Sequence, residues 1–157
     1  MTRIDYAERH AFPDGDAPHS GNPAGVARLG EMLPDADLLG LAQSNNLSET
    51  AYLVAGGEAD LWDLRWFTPE CEVDLCGHAT LAAAAVLFDA GSVAGREARF
   101  DTRSGRLTVS RLEDGRLCMD FPEVPFQPGR ADPAAVRAIG AEPDEAFEVE
   151  RVHGSRY

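Results

Sequence analysis

The stretch Asp74-Leu75-Cys76-Gly77-His78-Ala79-Thr80 runs directly into Leu81-Ala-Ala-Ala-Ala-Val-Leu-Phe88, and nothing else in the chain constrains the fold as much. Glycine and histidine stand where an extended segment, Leu64 to Val73, turns into a helix. From Ala79 to Phe88 that helix is apolar on almost every face, so it has to be surrounded by protein. Its first turn directs free backbone N–H groups, and the positive end of the helix dipole, at whatever lies beside His78. Such a mouth is suited to hold an anion and to move a proton.

Composition narrows the setting. A chain of 157 residues with 44% apolar residues suits one ordinary domain with a real core. No apolar run approaches the roughly 18 residues of a membrane span. The first ten residues are mixed and charged, unlike a secretory signal, so the cytoplasm is the expected location. A net charge of −13 disfavours nucleic acid and anionic membrane as partners, because both would be repelled. All 14 basic residues are arginine, which excludes a Schiff-base lysine, with it pyridoxal-phosphate chemistry, and the lysine of a phosphate loop. Cys71, Cys76 and Cys118 imply no disulfide framework. Cys71-x4-Cys76-x-His78 lacks the second pair that a tetrahedral zinc site needs, so no metal is expected.

In chain order, Ile4 to Phe12 reads as a strand with Ile4 and Tyr6 as its inward pair, and Pro13-Asp14-Gly15-Asp16 as a turn. Gly21-Asn22-Pro23 leads into the apolar run Ala24–Ala27. Pro34 and the acids Asp35 and Asp37 open a helix with Leu38, Leu39, Leu41 and Ala42 as its apolar face, and Asn45-Asn46 ends it. Leu47 to Val54 turns into a strand, Gly56-Gly57 is a turn, and Leu61 to Phe67 is a second strand. After the central helix, Asp89-Ala-Gly91 is a stop. Arg99–Arg103 and Arg106–Arg111 form a hairpin around Ser104-Gly105, and Leu117 to Phe121 is a further strand. Pro122 to Pro128 has the composition of a linker. Pro133 to Gly140 reads as a helix and Phe147 to Val152 as the start of a strand. The expected division is 1–122 as a first lobe and 123–157 as a linker with the truncated beginning of a second.

Several residues carry two readings each. Asn22 belongs to a plain loop, which its spacing alone favours, or presents its amide to a ligand. Glu49, at a helix-to-strand junction between apolar positions, is a solvated carboxylate or a proton shuttle whose surroundings tune it. His78 is a capping histidine or a catalyst. Asp74 could orient His78 but carries little weight, and Cys76 reads as a small buried hydrophobe rather than a reactive thiol.

Six ordered segments carry a resemblance: Ser20-Gly-Asn-Pro-Ala-Gly-Val26, Asn46-Leu-Ser-Glu-Thr-Ala-Tyr52, Arg65-Trp-Phe-Thr-Pro69, Glu72-Val-Asp-Leu-Cys-Gly-His-Ala-Thr80, Asp101-Thr-Arg-Ser-Gly105 and Met119-Asp-Phe-Pro122. In this order and spacing, from about His10 to Tyr157, the chain resembles the N-terminal half of PhzF-like phenazine-biosynthesis proteins. The resemblance implies an α+β, diaminopimelate-epimerase-like fold: two lobes, each a curved mixed sheet wrapped around a central apolar helix, with the active site in the cleft between them. It implies cofactor-independent isomerase chemistry, in which a glutamate moves a proton on a small carboxylate-bearing substrate. The catalytic glutamate falls on Glu49 and the active-site histidine on His78; substrate binding falls on Gly77, Ala79 beside it, and Asn22.

The chain departs from the family pattern at His10, where an aspartate is usual, and at His19, where an aromatic is usual. No Asp-Pro-x-Thr-Gly-Ser-type motif of a second lobe occurs in these residues. A second reading is therefore a truncated, non-catalytic remnant that binds a partner or forms a homodimer through its exposed apolar face. A cysteine-based racemase acting through Cys76 ranks below both, because diaminopimelate epimerases continue Cys-Gly with Asn-Gly rather than His-Ala.

Overall fold

The computed structural model describes residues 4–15, 17, 20–121 and 125–149. Its contacts divide the chain into two compact units, Met1–Asp120 and Phe121–Tyr157.

The first unit is a mixed sheet. Its elements are β1 (Asp5–Ala11), β2 (Asn22–Leu29), α1 (Asp35–Asn45), β3 (Glu49–Ala55), β4 (Leu61–Phe67), β5 (Glu72–Val73), α2 (Gly77–Asp89), β6 (Glu97–Thr102), β7 (Gly105–Arg111) and β8 (Leu117–Met119). The sheet order is β1-β2-β3-β4-β6-β7-β8, with β5 paired on β4. Two neighbouring pairs, β2–β3 and β4–β6, are parallel, and the others are antiparallel. Parallel neighbours need a crossover, and the two helices supply them: α1 joins β2 to β3, and α2 lies between β4 and β6.

Strand alternation decides what each helix covers. On β2, Ala24 and Val26 face the α2 side and Ala27 the α1 side; on β3, Ala51 and Leu53 face α2 and Tyr52 faces α1. On β4, Leu64 and Trp66 join the α2 core and Phe67 the α1 core. The strands are apolar on both faces because both faces are covered. Under α1, Leu38 and Ala42 pack on Tyr52 and Phe67, whose rings meet edge to face at 5.7 Å. The Tyr52 hydroxyl donates to the Leu38 carbonyl at 2.7 Å, and burial pushes its pKa up to about 12. Asn46 ends α1 in the left-handed region, its N–H returning to the Ala42 carbonyl.

Helix α2 touches β1, β2, β3, β6, β7 and β8, strands drawn from both ends of the sheet order, which is how a curved sheet wraps a helix. Ala79, Ala82, Ala83, Ala84, Leu87 and Phe88 are buried among Val26, Leu53, Trp66, Phe100, Leu107 and Val109. The diaminopimelate-epimerase-like fold expected from the sequence is present: α+β, with a curled sheet around an apolar helix.

Three local expectations are corrected. Tyr6 pairs with Ala27 and its ring lies over Gly25, where a Cβ would come 3.0 Å from the hydroxyl, yet it remains 44% exposed rather than buried in the core. The strand expected over Leu117–Phe121 stops at Met119, and Phe121 is exposed. The proline-rich stretch is not wholly a linker, since β9 (Phe126–Pro128) pairs antiparallel with β10 (Phe147–Val149). A two-stranded ribbon has only edges, and edges tolerate the missing N–H of Pro128.

The second unit places α3 (Pro133–Ile139) between those strands in sequence. The Asp132 side chain accepts from the Ala134 N–H at 2.7 Å, Pro133 occupies the first turn, and Gly140 closes the helix at φ 75°. Phe126 and Phe147 stack edge to face at 5.2 Å, yet both are exposed, as are Ile139 and Val149. Of the strand expected over Phe147–Val152, residues 150–152 lie outside the described residues. No helix of the structure is long and apolar enough to cross a membrane.

Candidate active site

Helix α2 begins at Gly77 with Cys76 as its N-cap, in extended geometry, and no side chain caps the turn. The first carbonyl bond is the Thr80 N–H to the Cys76 carbonyl at 3.3 Å. The N–H groups of Gly77, His78 and Ala79 precede that first bond, so they form the donor-rich end that the sequence led us to expect.

The carboxylate arrives from a different element. Strand β3 opens at Glu49, in register with Ala24 of β2, and the strand end delivers Glu49 Oε2 to 3.2 Å from His78 Nε2. Both side chains are mostly buried, Glu49 at 20% exposure and His78 at 11%. Glu49 Oε2 is shielded from solvent and has no hydrogen-bond partner of good geometry among the described residues. A buried carboxylate oxygen without a partner is costly in a structure that serves only folding. The same contact takes different forms across the site: Ser48 Oγ lies 3.3 Å from His78 Nε2, and Cys76 Sγ 3.4 Å from Nδ1.

Glu49, Cys76 and His78 thus offer an oxygen, a sulfur and a nitrogen within 4.8 Å of one another, donor types a metal could use. The ring, however, has Nε2 turned to Glu49 and Nδ1 to Cys76, so each nitrogen meets a protein partner rather than both protein groups meeting one shared cation. Burial pushes the Cys76 thiol up to about 12, with the nearby Glu49 adding to the rise; the backbone N–H groups of Ala79 and His78 pull it down less. A thiol held protonated is a poor base, which counts against Cys76 as a racemase's proton acceptor.

The remaining expected residues are spread around this centre. Gly77 and Ala79 lie in the first turn of α2, and Ala79 is fully buried. Asn22 is exposed at the start of β2, opposite Ala11. Gly21 just before it adopts φ 87°, where a Cβ would strike the Ala11 carbonyl at 2.6 Å, so only glycine fits the turn that sets Asn22. Next to it, the Pro23 carbonyl accepts from Ser48 Oγ at 3.3 Å, linking the Asn22 loop to the residue preceding Glu49. The Asp74 carboxylate lies 4.0 Å from Arg103, and among the described residues no hydrogen bond joins it to His78. His10 is exposed on β1, with Nδ1 3.0 Å from the Ser20 carbonyl, and His19 lies outside the described residues.

Residues that sequence reasoning passed over hold the loop in front of the helix. The Ser104 hydroxyl donates to the Asp74 carbonyl at 2.6 Å. Glu72, with a side chain only 10% exposed, accepts from Arg65 through both oxygens at 2.7 Å and pairs with Arg103 at 2.7 Å. Its carboxylate keeps the Arg65 guanidinium firmly protonated, Asp35 adding to the effect. These residues lie inside the recognised segments, but only the folded hairpin brings Arg103 and Ser104 to the loop.

The family model for phenazine biosynthesis-like proteins matches residues 10–151. The chain is 55% identical over 120 residues to an uncharacterized isomerase of Pseudomonas aeruginosa, covering 76% of this chain and 44% of that protein. It is 42% identical over 114 residues to the human phenazine biosynthesis-like domain-containing protein, covering 69% and 39% respectively. Among solved structures, a phenazine biosynthesis protein of the PhzF family from Enterococcus faecalis superposes with a TM-score of 0.81 at 41% identity, over 94% of this chain and 54% of that one. The chain therefore spans less than half the length of these two curated relatives. With fold, motif order and family match in agreement, the chain belongs to the phenazine biosynthesis-like (PhzC/PhzF) family.

Proposed function

We propose that this chain carries one acid–base wall of a cofactor-independent isomerase. Glu49 moves a proton on a small carboxylate-bearing metabolite as general acid–base, and His78 assists or orients it. The first turn of α2 at Gly77 receives the substrate carboxylate, as helix N-termini receive anions, with Ala79 packed behind it and the Asn22 amide at the rim. The observation that carries this reading is Glu49 Oε2: buried, without a hydrogen-bond partner among the described residues, and 3.2 Å from His78 Nε2. Its lone pair is left for a substrate proton, and apo sites tighten such contacts only when substrate arrives. Relatives that carry the name isomerase support the general reaction class.

The test is solvent exchange. In heavy water, a panel of small cyclic and acyclic carboxylates incubated with the longest natural form of the protein gains deuterium on carbon where the proton is moved. Glu49→Gln lowers that exchange by about 10²–10⁴-fold while binding persists. Exchange that survives Glu49→Gln overturns the assignment.

A second reading, a non-catalytic chain that pairs with a second copy of itself, has one observation in its favour. Phe126, Ile139, Phe147 and Val149 are exposed within Phe121–Tyr157. Light scattering on this chain decides it, because a clean monomer removes the reading.

A further inference from the structure

We propose that Cys76 is a positioning residue: its S–H donates to His78 Nδ1 and fixes the imidazole so that Nε2 carries its hydrogen, given to Ser48 Oγ beside Glu49. This rests on the reading of Glu49 as a base, since a base is a carboxylate when it begins its work. A negative carboxylate 3.2 Å from Nε2 favours a proton on that nitrogen even though the N–H is aimed past it, at Ser48 Oγ 3.3 Å away.

The surrounding protons agree. The Ser48 hydroxyl has one proton, and the Pro23 carbonyl takes it at 3.3 Å, leaving Ser48 Oγ to accept from Nε2 at 3.3 Å. With Nε2 protonated, a neutral imidazole has its lone pair on Nδ1, and the group facing Nδ1 is Cys76 Sγ at 3.4 Å. Only a thiol, not a thiolate, can donate there, and the buried position of Cys76, 7% exposed, keeps it a thiol. The proton chain is complete from end to end: S–H to Nδ1, Nε2–H to Ser48 Oγ beside Glu49, and Ser48 O–H to the Pro23 carbonyl.

The consequence is a division of labour. His78 in this tautomer gives a hydrogen bond and takes no proton from Glu49, so Glu49 is the only base in the cluster. Cys76 does not touch the reacting atoms. It acts through the ring.

The test reads the resting protein and needs no substrate. Thiol S–H stretching in the infrared lies in a window free of other protein bands, and a donated S–H moves to lower frequency. The band lost in Cys76→Ala should lie below those of the exposed Cys71 and Cys118, and it should return to their frequency in His78→Ala. Nitrogen-15 spectra of labelled histidine should show His78 protonated on Nε2, with the Nδ1 resonance moving toward that of an unbonded ring nitrogen in Cys76→Ala. A free-thiol frequency for Cys76, or a proton on Nδ1 of neutral His78 in the wild type, overturns the proposal. Both of those readings come from proteins with Cys76 in place, so they decide even if Cys76→Ala does not fold. A failed exchange experiment with normal spectra would remove the isomerase reading and leave the tautomer assignment standing.

Discussion

Helix α2 enters without a side-chain cap, has no acid in its first turn and no base in its last, and is built from alanines and large apolar residues. Helix α3 has an aspartate cap, proline in its first turn, arginine in its last and a left-handed glycine at its end, and none of its residues is buried. The local chemistry that usually specifies a helix is thus concentrated in the helix that buries none of its own residues. Helix α2 holds its shape because six strands close on it, and short helices draw most of their stability from such packing. Helix α3 is held by its ends. The difference teaches where each region is fragile: α2 fails through its sides and α3 through its caps.

The sharpest way to break that contrast is Ala83→Glu. Ala83 is fully buried in α2, so a carboxylate there has neither water nor a partner, and the unit Met1–Asp120 should lose its cooperative thermal transition by circular dichroism. Next comes Leu87→Ala, which removes a fully buried side chain from the same core; a loss of about 2–5 kcal/mol in denaturant unfolding is expected, and a loss below 1 kcal/mol would show that the sheet collapses onto the gap. The third experiment concerns the α2 cap. The thiol of Cys76 ordinarily titrates near 9.0, and burial raises it to about 12 in the folded chain. A raised folded value means that the stability is complete below about 9 and is lost as pH rises toward 12. The midpoint of unfolding should fall over that range, and less steeply in Cys76→Ala; Tyr52, also raised to about 12, contributes a second decline above 10.0. The smallest effect is Asp132→Ala, which removes the α3 cap for about 1 kcal/mol and should be seen only as faster amide exchange at Ala134 and Val136, with the melting of Met1–Asp120 unchanged.

The same contrast separates what the sequence reveals from what it hides. Strand β4 was legible over Leu61–Phe67 because aromatic and branched residues alternate between glycine and Thr-Pro punctuation. Helix α2 was legible because an all-round apolar run has one solution, burial. Glu49 and His78 were legible as residues by resemblance, while their 3.2 Å approach needed the β2–β3 register, which no local pattern contains. Tyr6 misled because alternation says which side chains share a face and not how far along the strand that face is covered. The strand Phe126–Pro128 was hidden because prolines mimic a linker wherever their missing N–H points to solvent. The Glu72 bridge to Arg65 and Arg103 was hidden for a plainer reason: any of the chain's many acids could have met any arginine, and only the hairpin turn selects the pair.

The enclosure of α2 also sets a timetable. The helix lies midway along the first unit, but the strands that cover it include β6, β7 and β8, the last ending at Met119. On a growing chain, β1, β2 and β3, which give α2 the larger part of its packing and hold Glu49 beside His78, are made before the helix, and β6, β7 and β8 follow it. Until the final strand pairs, one side of an alanine-rich apolar helix waits uncovered, and contacts between distant segments close slowly. The far side of α2, rather than the pairing of Glu49 with His78, is what the last strands complete, and the interval before Met119 emerges is when that side is open to aggregation and to chaperones.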